Sequence, residues 1–182
     1  MDSRTEVRLA GTGGQGVILA GILLAEAAIA DGKNATQTQS YGPEARGGAS
    51  RSEVVISEGE IHYPIVISAD VTVCMSQEAC DRYGWELAQG GLLIVDADHV
   101  ARAPLARTLR IPLTTLAREA TGREVVANVV ALGLLAGLTG IVSRQALEGA
   151  IRVRAPRGTS ELNLKALDAG FEAAGRLRQR RG

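Results

Sequence analysis

The chain has 182 residues, 46% of them hydrophobic, which is enough for one compact domain with a sizeable core. Its 20 basic and 20 acidic residues cancel, so no global field draws it to nucleic acid or to an acidic membrane surface. Tyr41, Tyr63, Tyr83, Trp85 and Phe171 are the only aromatic residues, so the core must be built from Leu, Ile, Val and Ala.

The polar start Met1–Arg8 is no signal peptide. Glu6–Ala10 reads as a short strand, followed at once by the turn Gly11-Thr12-Gly13-Gly14-Gln15-Gly16. Val17–Ala30 is apolar on almost every face except at Glu26, the pattern of a helix buried against a sheet and its neighbours, and Asp31-Gly32 stops it. Ala35–Ser40 alternates Thr and Gln as a polar strand would, and Tyr41–Gly48, with three glycines and a proline, is a loop. Arg51–Ser57 reads as a strand, Glu58-Gly59 as a tight turn and Glu60–Tyr63 as the return strand of a hairpin, which makes the sheet mixed.

Val71–Met75 is a further buried strand, and Ser76 is placed to cap a helix over Gln77–Ala88 that Gly90-Gly91 would end. Leu92–Val95 is an apolar strand closed by Asp96, and Thr108–Ile111 a short one. Thr114 or Thr115 is placed to cap a helix that stops at Gly122. Glu124–Leu138 forms a long apolar helix, Ser143 caps another, Pro156-Arg157-Gly158 breaks the chain, and a last helix spans 159–179. Val17–Ala30 and Val125–Leu138 are too short to span a bilayer, and the second contains Asn128. Strands alternating with helices give a three-layer α/β/α, Rossmann-like domain with a mixed sheet including one hairpin.

Gly11, Gly13 and Gly16 have the G-x-G-x-x-G spacing in the strand–turn–helix context a phosphate cradle needs. A nicotinamide site also needs an acidic residue about 20 positions on to hold a ribose. Ala35–Gln39 offers none, so the glycines either meet some other ligand or serve only strand–helix packing. The Tyr41–Gly48 loop sets Glu44 and Arg46 among glycines, with Arg51 beyond. It is either a surface connection with a local ion pair or a loop made to meet a phosphate, a carboxylate or a partner. Asp96 and Asp98 end a strand, where ligands collect but where Asp also favours turns. His62 and His99 read as surface residues, having no nucleophile or ligand partner beside them in sequence, and no G-x-S-x-G elbow is present. Cys74 and Cys80 are too few for an iron–sulfur cluster or a structural zinc, and their number fits a reducing cytoplasm. Arg176, Arg178, Arg180 and Arg181 read as cations near the negative pole of the last helix, with an anionic partner as the alternative.

Taken together, the glycine turn and the loop Ser40-Tyr41-Gly42-Pro43-Glu44-Ala45-Arg46-Gly47-Gly48 resemble the gamma subunit of the 2-oxoacid:ferredoxin oxidoreductases. The similarity continues through Ser52–Ser57, Tyr63-Pro64, Ala69-Asp70-Val71, Gly90–Ile94, Ala127–Gly133, Asn163 and Ala166–Gly170. It makes residues 1–182 a single gamma-type domain. The run Tyr41–Arg51 is most similar to the 2-oxoglutarate branch. The resemblance implies oxidative decarboxylation of a 2-oxoacid with coenzyme A, giving an acyl-CoA, carbon dioxide and reduced ferredoxin. It implies thiamine diphosphate, Mg and [4Fe-4S] clusters held mainly by alpha and beta subunits, with a ferredoxin-like delta subunit in some members. This chain would be inactive alone and hold no tightly bound cofactor or metal. Its candidate coenzyme A or phosphate contacts are Gly11, Gly13, Gly14, Gln15 and Gly16. Tyr41, Gly42, Pro43, Glu44, Arg46, Gly47, Gly48 and Arg51 form the candidate interface loop. A nicotinamide-dependent dehydrogenase and a non-binding assembly scaffold remain the alternatives.

Overall fold

The computed structural model describes residues 4–41, 48–104 and 107–180. The chain forms β1 (Arg4–Thr12), α1 (Val17–Ala30), β2 (Asn34–Ser40), β3 (Ala49–Ser57), β4 (Ala69–Cys74), α2 (Gln77–Tyr83), β5 (Leu87–Asp96) and β6 (Thr108–Ile111). It continues with α3 (Leu113–Thr121), a 3-10 turn at Glu124–Val126, α4 (Ala127–Thr139), α5 (Arg144–Arg154) and α6 (Ser160–Gln179). The strands make one six-stranded sheet in the order β2-β3-β1-β4-β5-β6. β3 runs against both of its neighbours, while β1, β4, β5 and β6 are parallel.

The period of two along the strands divides the sheet into two unlike faces. Val7 and Leu9 of β1, with Val54, Ile56, Val71, Val73 and Ile94, pack under α1 and α4 in the main core. α1 and α4 are apolar nearly all round because each lies between the sheet and outer helices. On the opposite face, Ala10 and Ala49 pack under Ala79 and Tyr83 of α2. The result is the expected three-layer α/β arrangement with a mixed sheet.

The hairpin lies elsewhere than expected. Residues 60–63 form no strand, because β3 already pairs with β1 on one side and β2 on the other, leaving no free edge for a return strand. The hairpin is instead β2–β3, which pair antiparallel from Asn34 with Ser57 to Ser40 with Arg51. Residues 61–68 run as a strap held by charged groups of β1. Arg4 donates to the Tyr63 and Ile65 carbonyls, and the Glu6 carboxylate accepts from the Ile67 and Ser68 amides.

Ser76 caps α2 as expected, its Oγ accepting from Ala79 N at 3.2 Å, but the helix stops at Tyr83. β5 begins at Leu87 and runs through Gly90-Gly91, which sit where its register against β4 shifts between Ala69 and Val71. A Cβ on Gly91 would lie 3.0 Å from the Ala69 carbonyl, so Gly91 serves a close strand approach, Gly90 takes a φ of 85, and neither ends a unit. Pro112, not Thr114 or Thr115, holds the N-cap position of α3, which Gly122 ends in the left-handed conformation. The expected helix over Glu124–Leu138 opens as the 3-10 turn before α4 begins. Ser143 caps α5 through Ala146 N. Thr159 occupies the N-cap position of α6 without capping, its hydroxyl donating to the Pro156 carbonyl. Near the C-terminus, Arg176 lies 3.7 Å from Glu172. No helix among the described residues is long and apolar enough to cross a membrane.

Candidate functional site

The glycine turn links the end of β1 to the start of α1 and is fastened by Gln15. The Gln15 Oε1 accepts from Thr12 N at 2.8 Å, and its Nε2 donates to the Met75 carbonyl just beyond β4 at 2.8 Å. Gly11 gives that side chain room: a Cβ there would lie 2.5 Å from Gln15 Oε1 and 3.1 Å from Val17. Gly16 is the N-cap of α1 with φ 71 and supplies no side-chain cap. The first helical amide to bond back is Ala20 N, to Gly16 O at 3.0 Å, so the preceding amides stay available, as at any uncapped helix start.

The five turn residues therefore divide by role. Gly11, Gln15 and Gly16 build the turn. Gly13 and Gly14 form its open crest, where an added Cβ would meet nothing within 4 Å, although the φ of 89 at Gly14 favours glycine on its own account. Packing gives no reason for a glycine at 13.

Two cavities flank the crest. One, of ≈ 240 Å³, lies beyond the carboxyl ends of the parallel strands and is bordered by Gly14, Gln15, Met75, His99, Thr114 and Glu124. This is the crevice where connections leave toward opposite sides of the sheet, the common ligand position in open α/β sheets. The other, of ≈ 190 Å³, lies across Val125 and is bordered by Gly14, Leu19, Asn128, Leu162 and Asn163. His99 is exposed, as expected, yet borders the first cavity. Sequence reading missed Glu124, Asn128 and Asn163 as site residues. Their signal was polarity near the openings of helices, and Asn128 and Asn163 entered the sequence reading only within the family resemblance and, for Asn128, as an argument against a membrane span.

The register places the two sequence motifs together. Thr12 pairs with Ala49 and Gly11 with Ser50, so the loop returns to the sheet directly beside the glycine turn. Ala49 N donates to Glu78 Oε1 at 3.1 Å, which ties the loop exit to α2. Tyr41 is exposed at the end of β2 and Gly48 is half-buried. Gly42, Pro43, Glu44, Arg46 and Gly47 lie outside the described residues. Arg51 is half-buried, 3.9 Å from Glu53, and stands over the Tyr83 ring at 5.3 Å. Arg8 and Arg82 lie at 5.5 and 5.4 Å from the same ring.

The remaining candidates resolve into structural roles. Asp96 accepts from Thr114 N and Oγ1, and Asp98 from Thr115 N and Oγ1, so the two aspartates hold the start of α3. Burial pushes the Asp96 carboxyl above its ordinary value despite these hydrogen bonds. Cys74 and Cys80 are buried free thiols in mutual contact. Their hydrogen bond, aided by burial, raises Cys74, while the same bond lowers Cys80. His62 is exposed within the strap. Among the described residues no group of three or more His, Cys, Asp or Glu is placed to hold a metal ion.

A dinucleotide site is further disfavoured by the topology. The strand that would carry a ribose-binding acid belongs beside β1, but here β3 lies between β1 and β2.

Residues 6–173 match the family described as pyruvate ferredoxin/flavodoxin oxidoreductase. The chain belongs to this family. It is 49% identical over 179 residues to the 2-oxoglutarate synthase subunit KorC of Methanocaldococcus jannaschii, covering 96% of each chain. It is 52% identical over 181 residues to its counterpart in Methanothermobacter thermautotrophicus, covering 94% of this chain and 96% of the relative. The crystal structure of a keto/oxoacid ferredoxin oxidoreductase gamma subunit from Geobacter sulfurreducens superposes with a TM-score of 0.86 at 48% identity, over 96% of this chain and 98% of that one. The chain is thus a gamma-type subunit of the oxidoreductase family, with the mixed α/β fold of that structure.

Proposed function

We propose that this chain is the gamma subunit of a 2-oxoglutarate:ferredoxin oxidoreductase, and that its glycine crest and 41–48 loop together form the surface turned toward coenzyme A and the catalytic subunits. The branch rests on graded likeness. Identity is 49–52% to the two 2-oxoglutarate synthase subunits, 35% to a ketoisovalerate oxidoreductase subunit and 29% to a pyruvate synthase subunit. This chain spans only 36% of that ketoisovalerate subunit, so the same unit also occurs inside a longer chain.

The reaction removes carbon dioxide from 2-oxoglutarate, passes the succinyl group to the coenzyme A thiol and sends two electrons to ferredoxin. Thiamine diphosphate, with Mg, supplies the carbanion chemistry, and [4Fe-4S] clusters carry the electrons. Alpha and beta subunits, with a ferredoxin-like delta subunit where present, hold these groups, since two buried free thiols fall short of the four a cluster takes. This chain contributes backbone donors and shape, and works with its partners in the cytoplasm.

The observation that carries the reading is the pairing of Thr12 with Ala49, which sets the loop exit beside the crest. In the assembled complex, Gly13→Val is expected to raise the KM for coenzyme A with stability unchanged, because its side chain enters open space. Arg46→Ala is expected to lower turnover without lowering the melting temperature of this chain. An unchanged KM in Gly13→Val would remove the crest from the coenzyme A surface. Purification from native extract with no thiamine-binding partner would count against the assignment as a whole.

A further inference from the structure

Cys74 and Cys80 are the only cysteines of the chain, and the fold gathers both into one small apolar cluster with Leu93, Val95 and Val100. Cys74 is the last residue of β4 and Cys80 lies in the middle of α2. Both thiols are free, and the hydrogen bond between them lowers Cys80 and raises Cys74. Burial and Asp81 oppose the fall at Cys80, while Arg110 assists it.

Buried cysteines are ordinarily inert. This pair differs in access. Cys80 borders a cavity of ≈ 220 Å³ whose other walls are Asp81, Trp85, Arg102, Ala103 and Pro104. A water takes about 30 Å³, so a small oxidant has room there. In the reduced pair the Cys80 thiol donates to the Arg102 carbonyl on that wall at 3.7 Å. Its thiolate gives up this bond and keeps the one from Cys74. Cys74, at 0% exposure, lies behind it. One sulfur is therefore reachable and favoured as thiolate, and the other waits beside it, the arrangement of a reactive and a resolving thiol.

The pair also stands between two tethers of the site. Met75, next to Cys74, accepts from Gln15 of the glycine turn at 2.8 Å. Glu78, on the same short helix as Cys80, accepts from Ala49 N at 3.1 Å.

We propose that Cys74 and Cys80 form a peroxide-responsive thiol pair that closes to a disulfide and transmits the change through α2 to Ala49. The Cys80 thiolate attacks one oxygen of hydrogen peroxide and the O–O bond breaks. The other oxygen takes a proton from solvent and leaves as water, and Cys80 becomes a sulfenic acid. The Cys74 sulfur then displaces the sulfenic hydroxyl, which departs as a second water with the thiol proton. Two thiols lose two electrons, and one peroxide is reduced to two waters. An S–S bond of about 2.0 Å is shorter than any thiol–thiol contact, so closure draws α2 toward β4 and pulls on the Glu78–Ala49 tether. In a reducing compartment such a bond is transient, opened again by a dithiol. The proposal rests on this fold alone, whichever 2-oxoacid the complex takes.

The test treats the ¹⁵N-labelled full chain with equimolar hydrogen peroxide. The intact mass is expected to fall by two hydrogen atoms, both cysteines to escape alkylation under denaturing conditions, and dithiothreitol to restore them. Cys74→Ser cannot close the bond and should stop at a Cys80 sulfenic acid that dimedone traps. Cys80→Ser should leave Cys74 reduced at the same dose. The amide signal of Ala49 should move on oxidation of the wild type and return on reduction. Two alkylatable thiols in the treated wild type, added oxygen in place of lost hydrogen, or a disulfide joining two copies would each overturn the thiol pair. A disulfide within the chain that leaves the Ala49 signal in place would overturn the transmission through α2.

Discussion

Arg8 of β1 and Glu53 of β3 face each other across the antiparallel ladder, with Nε and Oε1 2.8 Å apart and both side chains buried. Arg8 also donates to the half-exposed Glu86 carboxylate at 2.8 Å, and the Tyr83 ring lies over its guanidinium. The pair sits on the face of the sheet that carries the short α2 and the strap, close under the loop exit.

Removing one partner should cost far more than removing both. Arg8→Met leaves the buried Glu53 carboxylate with only the half-buried Arg51, 3.9 Å away, for a cation, a change that destabilises by about 3 kcal/mol. The double variant Arg8→Met/Glu53→Leu should recover most of that loss, since the charge and its desolvation disappear together. Urea unfolding of the wild type, both single variants and the double variant measures the coupling. Additive losses would show that the two residues do not act as a pair.

Gly13 and Gly133 should respond oppositely to alanine. Gly133 lies where α4 crosses α6, and a Cβ there would press on the Leu167 carbonyl oxygen. Gly170 stands in the reciprocal position against Val130. Gly133→Ala must push the helices apart, at about 1–3 kcal/mol. At Gly13 the Cβ enters open space, so Gly13→Ala should keep wild-type stability to within about 0.5 kcal/mol. Thermal melts of both variants check the contrast, and equal losses would contradict it.

The sequence exposed elements whose ends carry local chemistry. α1 begins and ends where Gly16 and Asp31-Gly32 require, and Ser76 and Ser143 cap the helices expected of them. What it concealed was set by pairing over long distance. Glu58-Gly59 has the composition of a hairpin turn, but both edges of β3 are occupied by strands whose positions no local signal discloses. Gly90-Gly91 has the composition of a terminator, but it lets β5 pass close to Ala69. The glycine turn and its neighbouring loop were legible as motifs, while their adjacency depended on the Thr12–Ala49 register. The cavity across Val125 was hidden because Asn128 and Asn163, which border it, belong to helices far apart in sequence.

Thr72 on β4 should be improved by losing its hydroxyl. It is fully buried, pairs in register with Arg8, and its Oγ1 has no hydrogen-bond partner among the described residues. Thr72→Val keeps the branched shape suited to a strand and removes the unsatisfied group, a gain of about 1 kcal/mol. A melting temperature below that of the wild type would show that the hydroxyl is held by a bound water.

Asp96 should make stability depend on pH in the direction opposite to a salt-bridged carboxylate. It is completely buried at the end of β5, and burial outweighs its hydrogen bonds from Thr114 and Asp98, so its pKa in the folded chain is raised. Between the ordinary and the raised value, the folded chain keeps a proton that the unfolded chain releases. This group's contribution to stability therefore increases as pH falls through the raised value, and it is lost as pH rises toward neutral. Asp96→Asn does not titrate, so the wild type should gain on this variant as the pH is lowered from neutral into the mildly acidic range. The gain should level off below the ordinary carboxylate range. Paired thermal melts across that range decide the matter: parallel curves would mean that the Thr114 and Asp98 hydrogen bonds balance the burial of Asp96, and a wild type that loses on the variant as pH falls would mean that they outweigh it.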